Sequence, residues 1–262
     1  MIGVISGTGG EQWPGIEGGR EETRRTRFGT VEVVCGELAG VEVAHVARHG
    51  RGHERLSNHV EHRANVAALK DLGATAIIST TVCGAVDADI ALGAVVVFDD
   101  LYFPSNRLAD GSVCTFFDTP GEPGRGHYIF DRPFDQRLRR TLVVAGNELG
   151  LPVVDGGTYG HVDGPRFNTR SEIAALKSVG VTAVSQTAGP EAVLAGEAEI
   201  AFALVGFVTD YANGVGTEPQ STEKLIARVQ ESTKVLPALI GRALPGGRDG
   251  APDPSRVVVR FE

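Results

Sequence analysis

The sequence predicts an α/β fold in which helices cover both faces of a β-sheet. Short β-branched runs of strand length recur along the chain, segments with helical periodicity lie between them, and glycine or proline follows several of those segments. The 262 residues, 42% of them hydrophobic, are enough to bury one large core. We therefore expect a single domain over residues 1–262.

Each element rests on its own local pattern. The clearest early helix covers 58–72, where Val60, Ala64, Ala68 and Leu72 lie near helical spacing and Gly73 follows as a stop. Further helices are predicted at 134–149, 170–178, 191–197 and 221–244. Strands are predicted at 2–5, 31–35, 41–47, 76–79, 94–98, 183–185 and 203–208. Residues 106–132 read as a long functional loop, and residues 245–254 as a turn before a last short strand.

Composition excludes several classes of protein. A net charge of -8 and a pI near 5.4 argue against a nucleic-acid surface, which needs clustered Lys and Arg. The first ten residues carry no basic targeting segment, and no apolar run approaches the roughly 20 residues that span a bilayer, so we expect a cytoplasmic protein with no membrane role. Cys35, Cys83 and Cys114 form no C-x-x-C pair, so neither a disulfide framework nor a zinc knuckle is indicated.

Two segments that follow predicted strands have the composition of an anion site. Residues 7–10 (GTGG) allow close approach of the backbone, and Thr8 adds a hydroxyl donor. Residues 48–53 (RHGRGH) bring together two Arg, which bind phosphate bidentately, and two His. Each segment taken alone also fits an ordinary solvated turn.

A cluster of histidines raises the question of a metal. His45, His49, His53, His59 and His62 lie within 18 positions, but they form neither H-E-x-x-H nor a two-His-one-carboxylate pattern. We predict that no metal is bound.

Four later segments also combine hydroxyls, glycines or charges near predicted strand ends, where α/β sheets carry their sites. They are residues 78–84, 164–169, 185–191 and 208–211. The alternative for Thr169 and Thr187 is that each is simply a helix cap.

Taken in order, seven motifs resemble those of the methylthioadenosine and purine nucleoside phosphorylase family. They are GTGG, RHGRGH, HRANVAALKDLG, TTVCG, GPRFNTRSE, SQTAGPEAVLAGE and VTDY, which span residues 7–211. The resemblance implies one α/β domain with a mixed, partly barrel-like central sheet flanked by helices, assembled as a homotrimer or, alternatively, a hexamer. It implies a pentosyltransferase that cleaves a methylthioadenosine-like purine nucleoside with inorganic phosphate as co-substrate and no cofactor.

The resemblance also assigns roles to individual residues. The phosphate-binding set is Thr8, Arg48, His49, Thr81 and Thr187. The base-binding set is Val82, Cys83, Phe167, Asn168 and Asp210, of which Asp210 is also catalytic because it faces N7 and the exocyclic group of the purine. The sugar-binding set is His62, Gln186 and His127, the last carried by the 106–132 loop. A protonated Asp210 donates to N7 and an ionised one accepts from a 6-amino group, and both states stay open.

Three positions depart from the family pattern on the substrate side. Gln186 stands where relatives have Met, His62 replaces a tyrosine, and Ala212 replaces a second aspartate. We expect either a changed nucleoside, with an unusual or polar sugar 5′ region, or drift in a pocket that still takes methylthioadenosine. The sequence is also compatible with a 6-oxopurine nucleoside as substrate, with hydrolysis by water, and with a nucleoside-binding protein without turnover. The intact phosphate set argues against hydrolysis.

Overall fold

A computed structural model describes residues 1–10, 13–216, 221–247 and 256–261. The helices in those residues are α1 (His62–Asp71), α2 (Gln136–Glu148), α3 (Arg170–Ser178), α4 (Ala188–Glu197) and α5 (Thr222–Ala243). The strands there are β1 (Ile2–Ser6), β2 (Glu17–Thr26), β3 (Gly29–Leu38), β4 (Val41–Ala47), β5 (Ala76–Ala85), β6 (Val95–Val97), β7 (Asp100–Tyr102), β8 (Gly126–Phe130), β9 (Val153–Asp155), β10 (Thr158–His161), β11 (Val181–Ser185), β12 (Ala201–Tyr211) and β13 (Arg256–Arg260).

One large mixed sheet organises the chain, and β5 lies at its branch point. The first half of β5 pairs with β1, its last two residues pair with antiparallel β11, and its other edge pairs with β12 along the whole strand. The longest path through the sheet is β2-β3-β4-β1-β5-β11-β10-β7, and β12 continues to β6 and β9. Because β5 has three neighbouring strands, the sheet branches at this strand and is mixed, as the family resemblance implied.

Apolar side chains cover both faces of this sheet. One cluster includes Leu69 of α1 and Leu194 of α4, and the other includes Leu142 of α2 and Leu239 of α5, all fully buried. Strands with two covered faces form continuous apolar runs, which explains why the runs were detectable in the sequence. The predicted α/β architecture is confirmed.

Several element boundaries differ from the predictions. Helix α1 begins at His62 and not at residue 58, because residues 57–59 form a separate 3₁₀ turn and Val60 is extended. The charged strand β2 was missed because it pairs with β3 at the sheet's outer edge and buries little. The predicted 106–132 loop contains β8, which pairs with β13. Of the turn predicted at 245–254, residues 248–254 lie outside the described residues.

Across the part of the chain that the structure describes, no helix is both long and apolar enough to cross a membrane.

Candidate functional site

The carboxyl ends of β1, β4, β5 and β12 meet at one edge of the sheet, because these four strands are parallel. A cavity of about 310 Å³ opens at this edge. It is lined by the following predicted site residues: Thr8, Arg48, His49, Thr81, Val82, Cys83, Phe167, Asn168, Gln186, Thr187 and Asp210.

The turn after β1 is held in place by a buried hydrogen-bond chain. The Ser6 hydroxyl donates to the Gly10 carbonyl at 2.7 Å, so it accepts from Nε2 of His45, also at 2.7 Å. This fixes Nε2 of His45 as the protonated ring nitrogen. The turn also passes close to Arg48, since a Cβ on Gly7 would lie 2.8 Å from Arg48 Nη1. Glycine at position 7 is therefore needed for this approach.

Arg48 is the central charged group of the site and is fully buried. Its Nε and Nη2 donate to the two carboxylate oxygens of Glu191 at 2.5 and 2.8 Å. Nη2 also donates to Ser79 Oγ, and Nη1 donates to the Thr80 carbonyl. Four of the five guanidinium N–H groups are thus used within the described residues, and one N–H on Nη1 is left for a ligand. Arg48 can bind an anion there, with its orientation fixed by four protein contacts.

Glu191 was missed as a functional residue by the sequence reasoning. Burial by itself would raise the pKa of Glu191, but the adjoining Arg48 guanidinium holds it below its ordinary value. The sequence does contain a signal for a buried charged pair. Glu191 lies among Ala188, Ala192 and Leu194 in an apolar helix, and a buried Glu in such surroundings needs a partner of opposite charge. Glu191 therefore acts by positioning Arg48.

His49 contributes an acceptor and not a cation. Its Nδ1 faces the Arg55 carbonyl at 2.8 Å, so Nδ1 carries the proton. Burial, together with the nearby Arg48 charge, lowers the pKa of His49 to about 4. The neutral ring leaves Nε2 as an acceptor, which suits a protonated phosphate oxygen. Its ring stacks on His53, with centroids 4.2 Å apart.

The threonines differ in how their hydroxyls are used. Thr81 Oγ1 lies 2.8 Å from Ser185 Oγ, which joins β5 to the end of β11. Thr187 precedes α4, but its side chain makes no cap hydrogen bond, so the helix-cap alternative for Thr187 is wrong. The same alternative is confirmed for Thr169, which forms a capping box with Glu172.

A second group of lining residues combines apolar side chains with one carboxyl group. Val82 and buried Cys83 come from β5, and Phe167 exposes 63% of its surface at the mouth. Asp210 Oδ1 accepts from Thr209 Oγ1 at 2.7 Å. Burial raises the pKa of Asp210, and the hydrogen bond from Thr209 only partly opposes this rise. The raised pKa makes this carboxyl more readily protonated near neutral pH than an exposed aspartate.

Two of the predicted sugar residues do not line the cavity. His62 is buried with its Nδ1 3.7 Å from Glu191 Oε1, so its ring faces the Arg48–Glu191 pair. His127 lies on β8 opposite Val259 of β13, with its ring edge against Phe261. His62 and His127 therefore both lie outside the cavity of their own chain.

Gln186 and Ala212, the remaining two departures, do line the cavity. Gln186 is hydrogen-bonded on both sides of its amide, to Ser57 and to the Arg166 carbonyl. The methyl group of Ala212 adds no polar atom to the wall beside Asp210.

The histidine cluster is spread over separate contacts in the structure. His45 bonds Ser6, His49 stacks on His53, His59 lies beside Asn58, and His62 faces Glu191. Within the described residues, no group of three or more His, Cys, Asp or Glu is arranged to hold a metal ion.

Comparisons with known proteins agree with this geometry. The sequence model of the Phosphorylase superfamily matches residues 1–245. The chain is 34% identical to the 6-oxopurine nucleoside phosphorylase of Pyrococcus furiosus over 249 residues, 93% of this chain and 92% of the relative. It is 34% identical to the S-methyl-5′-thioadenosine phosphorylase of Geobacter sulfurreducens, covering 93% and 84%. The solved structure of methylthioadenosine phosphorylase from Schistosoma mansoni in complex with adenine aligns with a TM-score of 0.83 at 29% identity, covering 95% and 92%. The resemblance based on the seven motifs is confirmed.

Proposed function

Because the chain belongs to the Phosphorylase superfamily, we propose that it cleaves the N-glycosidic bond of a purine nucleoside with inorganic phosphate. The observation that carries the proposal is that two kinds of group line the same cavity. One set comprises a fixed Arg48 N–H, the His49 ring and three threonines, and the other comprises an aromatic side chain and the half-buried Asp210 carboxyl. An anion fits the first set and a heterocyclic base fits the second, with a sugar joining the two.

In the proposed reaction, a phosphate oxygen forms a bond to the anomeric carbon as the bond from that carbon to the purine nitrogen breaks. The electron pair of the broken bond goes to the purine, and a protonated Asp210 carboxyl supplies the proton that N7 receives. Arg48 and the threonine hydroxyls hold the phosphate, His49 Nε2 accepts a hydrogen bond from the phosphate O–H, and Asp210 faces the departing base. Positioning and fixed electrostatics supply most of the rate enhancement.

The identity of the base is the finer part of the proposal. The two relatives named above act on different purines, a 6-oxopurine nucleoside in one case and a 6-amino nucleoside in the other. A protonated Asp210 serves either base through N7, whereas an ionised one accepts a hydrogen bond only from the 6-amino group. We propose a 6-amino nucleoside of the methylthioadenosine type, with a 6-oxopurine nucleoside as the alternative.

The test is release of free purine from methylthioadenosine, adenosine, inosine and methylthioinosine, each with and without phosphate. Phosphate-dependent release is the expected result, and the nucleoside cleaved with the highest kcat/KM identifies the preferred base. Release at an equal rate without phosphate would make the chain a nucleosidase. Tight nucleoside binding without release would make it a binding protein.

Replacing Asp210 by Asn is expected to lower kcat/KM for adenosine by about 100-fold, because the amide cannot supply the proton that N7 receives. The loss for inosine is expected to be smaller, since the amide NH₂ can donate to the 6-oxo group, so selectivity shifts towards 6-oxopurines. Steady-state rates on both nucleosides measure the shift. The exposed Asp89→Asn is the matched control, and an unchanged adenosine-to-inosine ratio in the Asp210 variant would rule out this role.

The proposal extends to the state of the protein in the cell. It is a single domain over residues 1–262, assembles as a homotrimer with a hexamer as the alternative, and acts in cytoplasmic purine salvage. It needs phosphate as co-substrate and no metal or other cofactor. Light scattering measures the assembly, and full activity after dialysis against a chelator is the expected result for the cofactor.

A further inference from the structure

Helix α4 begins without the side-chain cap that its sequence would favour. Thr187 occupies the N-cap position, but its side chain makes no cap hydrogen bond. An N-cap hydroxyl accepts from the backbone N–H two or three residues further on, and the residue three positions on is Pro190, which has no N–H. The backbone of Thr187, at φ −140° and ψ −34°, also differs from the extended conformation of an ordinary N-cap. The first N–H groups of this buried helix therefore need another acceptor.

The phenol of Tyr159 supplies that acceptor. Its oxygen accepts from the backbone N–H groups of Thr187 at 3.4 Å and of Ala188 at 3.2 Å. Tyr159 is fully buried, and this burial raises its pKa to about 12, so the phenol stays neutral near pH 7. A neutral hydroxyl oxygen has two lone pairs, one for each N–H. A single side chain from β10 thus replaces a threonine cap at the start of α4.

Packing fixes Tyr159 in the orientation that these contacts need. Strand β10 lies between β11 and β7, and Tyr159 is opposite Ala183 of β11 and Leu101 of β7. The tyrosine ring packs edge-on against Phe98, with ring centroids 5.3 Å apart. Because β11 ends two residues before Thr187, a fixed tyrosine on the adjacent strand also fixes the backbone at residue 187.

The tyrosine cap determines what the Thr187 hydroxyl can do. Thr187 lines the cavity together with Arg48, and both belong to the set predicted to bind phosphate. A threonine that capped the helix would direct its oxygen to backbone N–H groups, whereas the Thr187 hydroxyl is not used in that way. We propose that Tyr159 is a positioning residue for phosphate: its phenol caps α4 and so leaves the Thr187 hydroxyl available to donate to the anion. This role rests on the proposed function, in which phosphate is the co-substrate.

Tyr159→Phe removes the phenol oxygen and keeps the ring. The KM for phosphate is expected to rise about tenfold, because two buried N–H groups lose their acceptor and residue 187 shifts to satisfy them. The kcat and the KM for the nucleoside are expected to stay within about twofold of the wild type, because the groups that face the base are unchanged. A KM does not depend on the amount of folded enzyme. The matched control is Tyr102→Phe, on the neighbouring strand β7.

A double-mutant cycle with Thr187→Val separates positioning from packing. Thr187→Val keeps the shape of the side chain and removes the hydroxyl, and it is expected to raise the KM for phosphate about tenfold. If Tyr159 acts through this hydroxyl, adding Tyr159→Phe to Thr187→Val raises that KM by less than about twofold more. A further tenfold rise in the double variant, or a wild-type KM in Tyr159→Phe alone, would overturn the proposal.

The same cycle can be followed by phosphate binding without turnover. If the wild type releases no purine, the proposed phosphorolysis fails, and calorimetric Kd values for inorganic phosphate in the four proteins still test Tyr159. Non-additive losses of phosphate affinity in the two single variants would support the positioning role. Additive losses, or no binding of phosphate by the wild type, would overturn it.

Discussion

Glu191→Gln is expected to lower the Tm by about 6–12 °C, which corresponds to about 3 kcal/mol for a chain of this size. The substitution leaves Arg48 buried with only one neutral acceptor in place of a carboxylate fork. The KM for phosphate is expected to rise at least about tenfold, because the free Nη1 N–H loses its fixed direction. Thermal unfolding and phosphate saturation curves measure the two effects.

The control for charge removal alone is Glu148→Gln, which breaks an exposed pair with Arg242 and should change stability by less than about 0.5 kcal/mol. A double variant, Arg48→Met with Glu191→Leu, is expected to recover part of the Tm and none of the activity, because apolar residues can replace a buried ion pair in packing. If Glu191→Gln keeps the wild-type Tm and phosphate KM, the positioning role is wrong.

The residues predicted to bind phosphate and base line one cavity, and the sequence could indicate this because their signals are local and their convergence follows from topology. Thr8, Arg48 and Asp210 each lie at or just beyond the carboxyl end of a strand, and parallel strands place those ends at one edge. The register of β12 on β5 sets Asp210 opposite Gly84, beside the base wall. Predicting where each strand ends was therefore enough to expect these side chains to lie close together.

The residues that contact these groups could not be predicted from the sequence in the same way. Glu191 is 143 positions from Arg48, and Ser57 is 129 positions from Gln186. No spacing or periodicity links such positions, so the pairs become visible only when β4, β11 and the 57–59 turn are placed in three dimensions. The same limit explains His127, whose strand β8 exists because residues 256–260 return to pair with it.

His62 shows how a family position can change its environment. The motif match placed it on the sugar side, where relatives have tyrosine, but α1 begins at this residue and directs the ring to Glu191. The imidazole packs against the carboxylate that orients Arg48. His62 therefore lies against the Arg48–Glu191 pair, whereas Gln186, hydrogen-bonded to Ser57, lines the cavity.

Lowering the pH from 7 to 5 is expected to destabilise the protein strongly, because three histidines are buried in their neutral form. Burial lowers the pKa of His45 to about 4 and that of His161 to about 3; burial and then the Arg48 charge lower that of His49 to about 4. The unfolded chain binds protons at the ordinary value of 6.5, so between pH 6.5 and 4 it holds more protons than the native state. Stability therefore falls as the pH falls, by about 2 kcal/mol for each histidine at pH 5.

The combined loss of stability from the three histidines approaches the total free energy of unfolding of many domains. A Tm decrease of roughly 10–20 °C between pH 7 and 5 is therefore expected. Glu191 does not contribute in this window, since its own loss of stability begins only below pH 4.5, the ordinary value for a glutamate. Calorimetry in phosphate-free buffers avoids stabilisation by the bound anion. His45→Gln, which keeps a donor for Ser6, should remove about one of the protons taken up on unfolding. Equal Tm values at pH 5 and 7 would contradict this prediction, because they would mean that the native protein binds as many protons as the unfolded chain over this pH range.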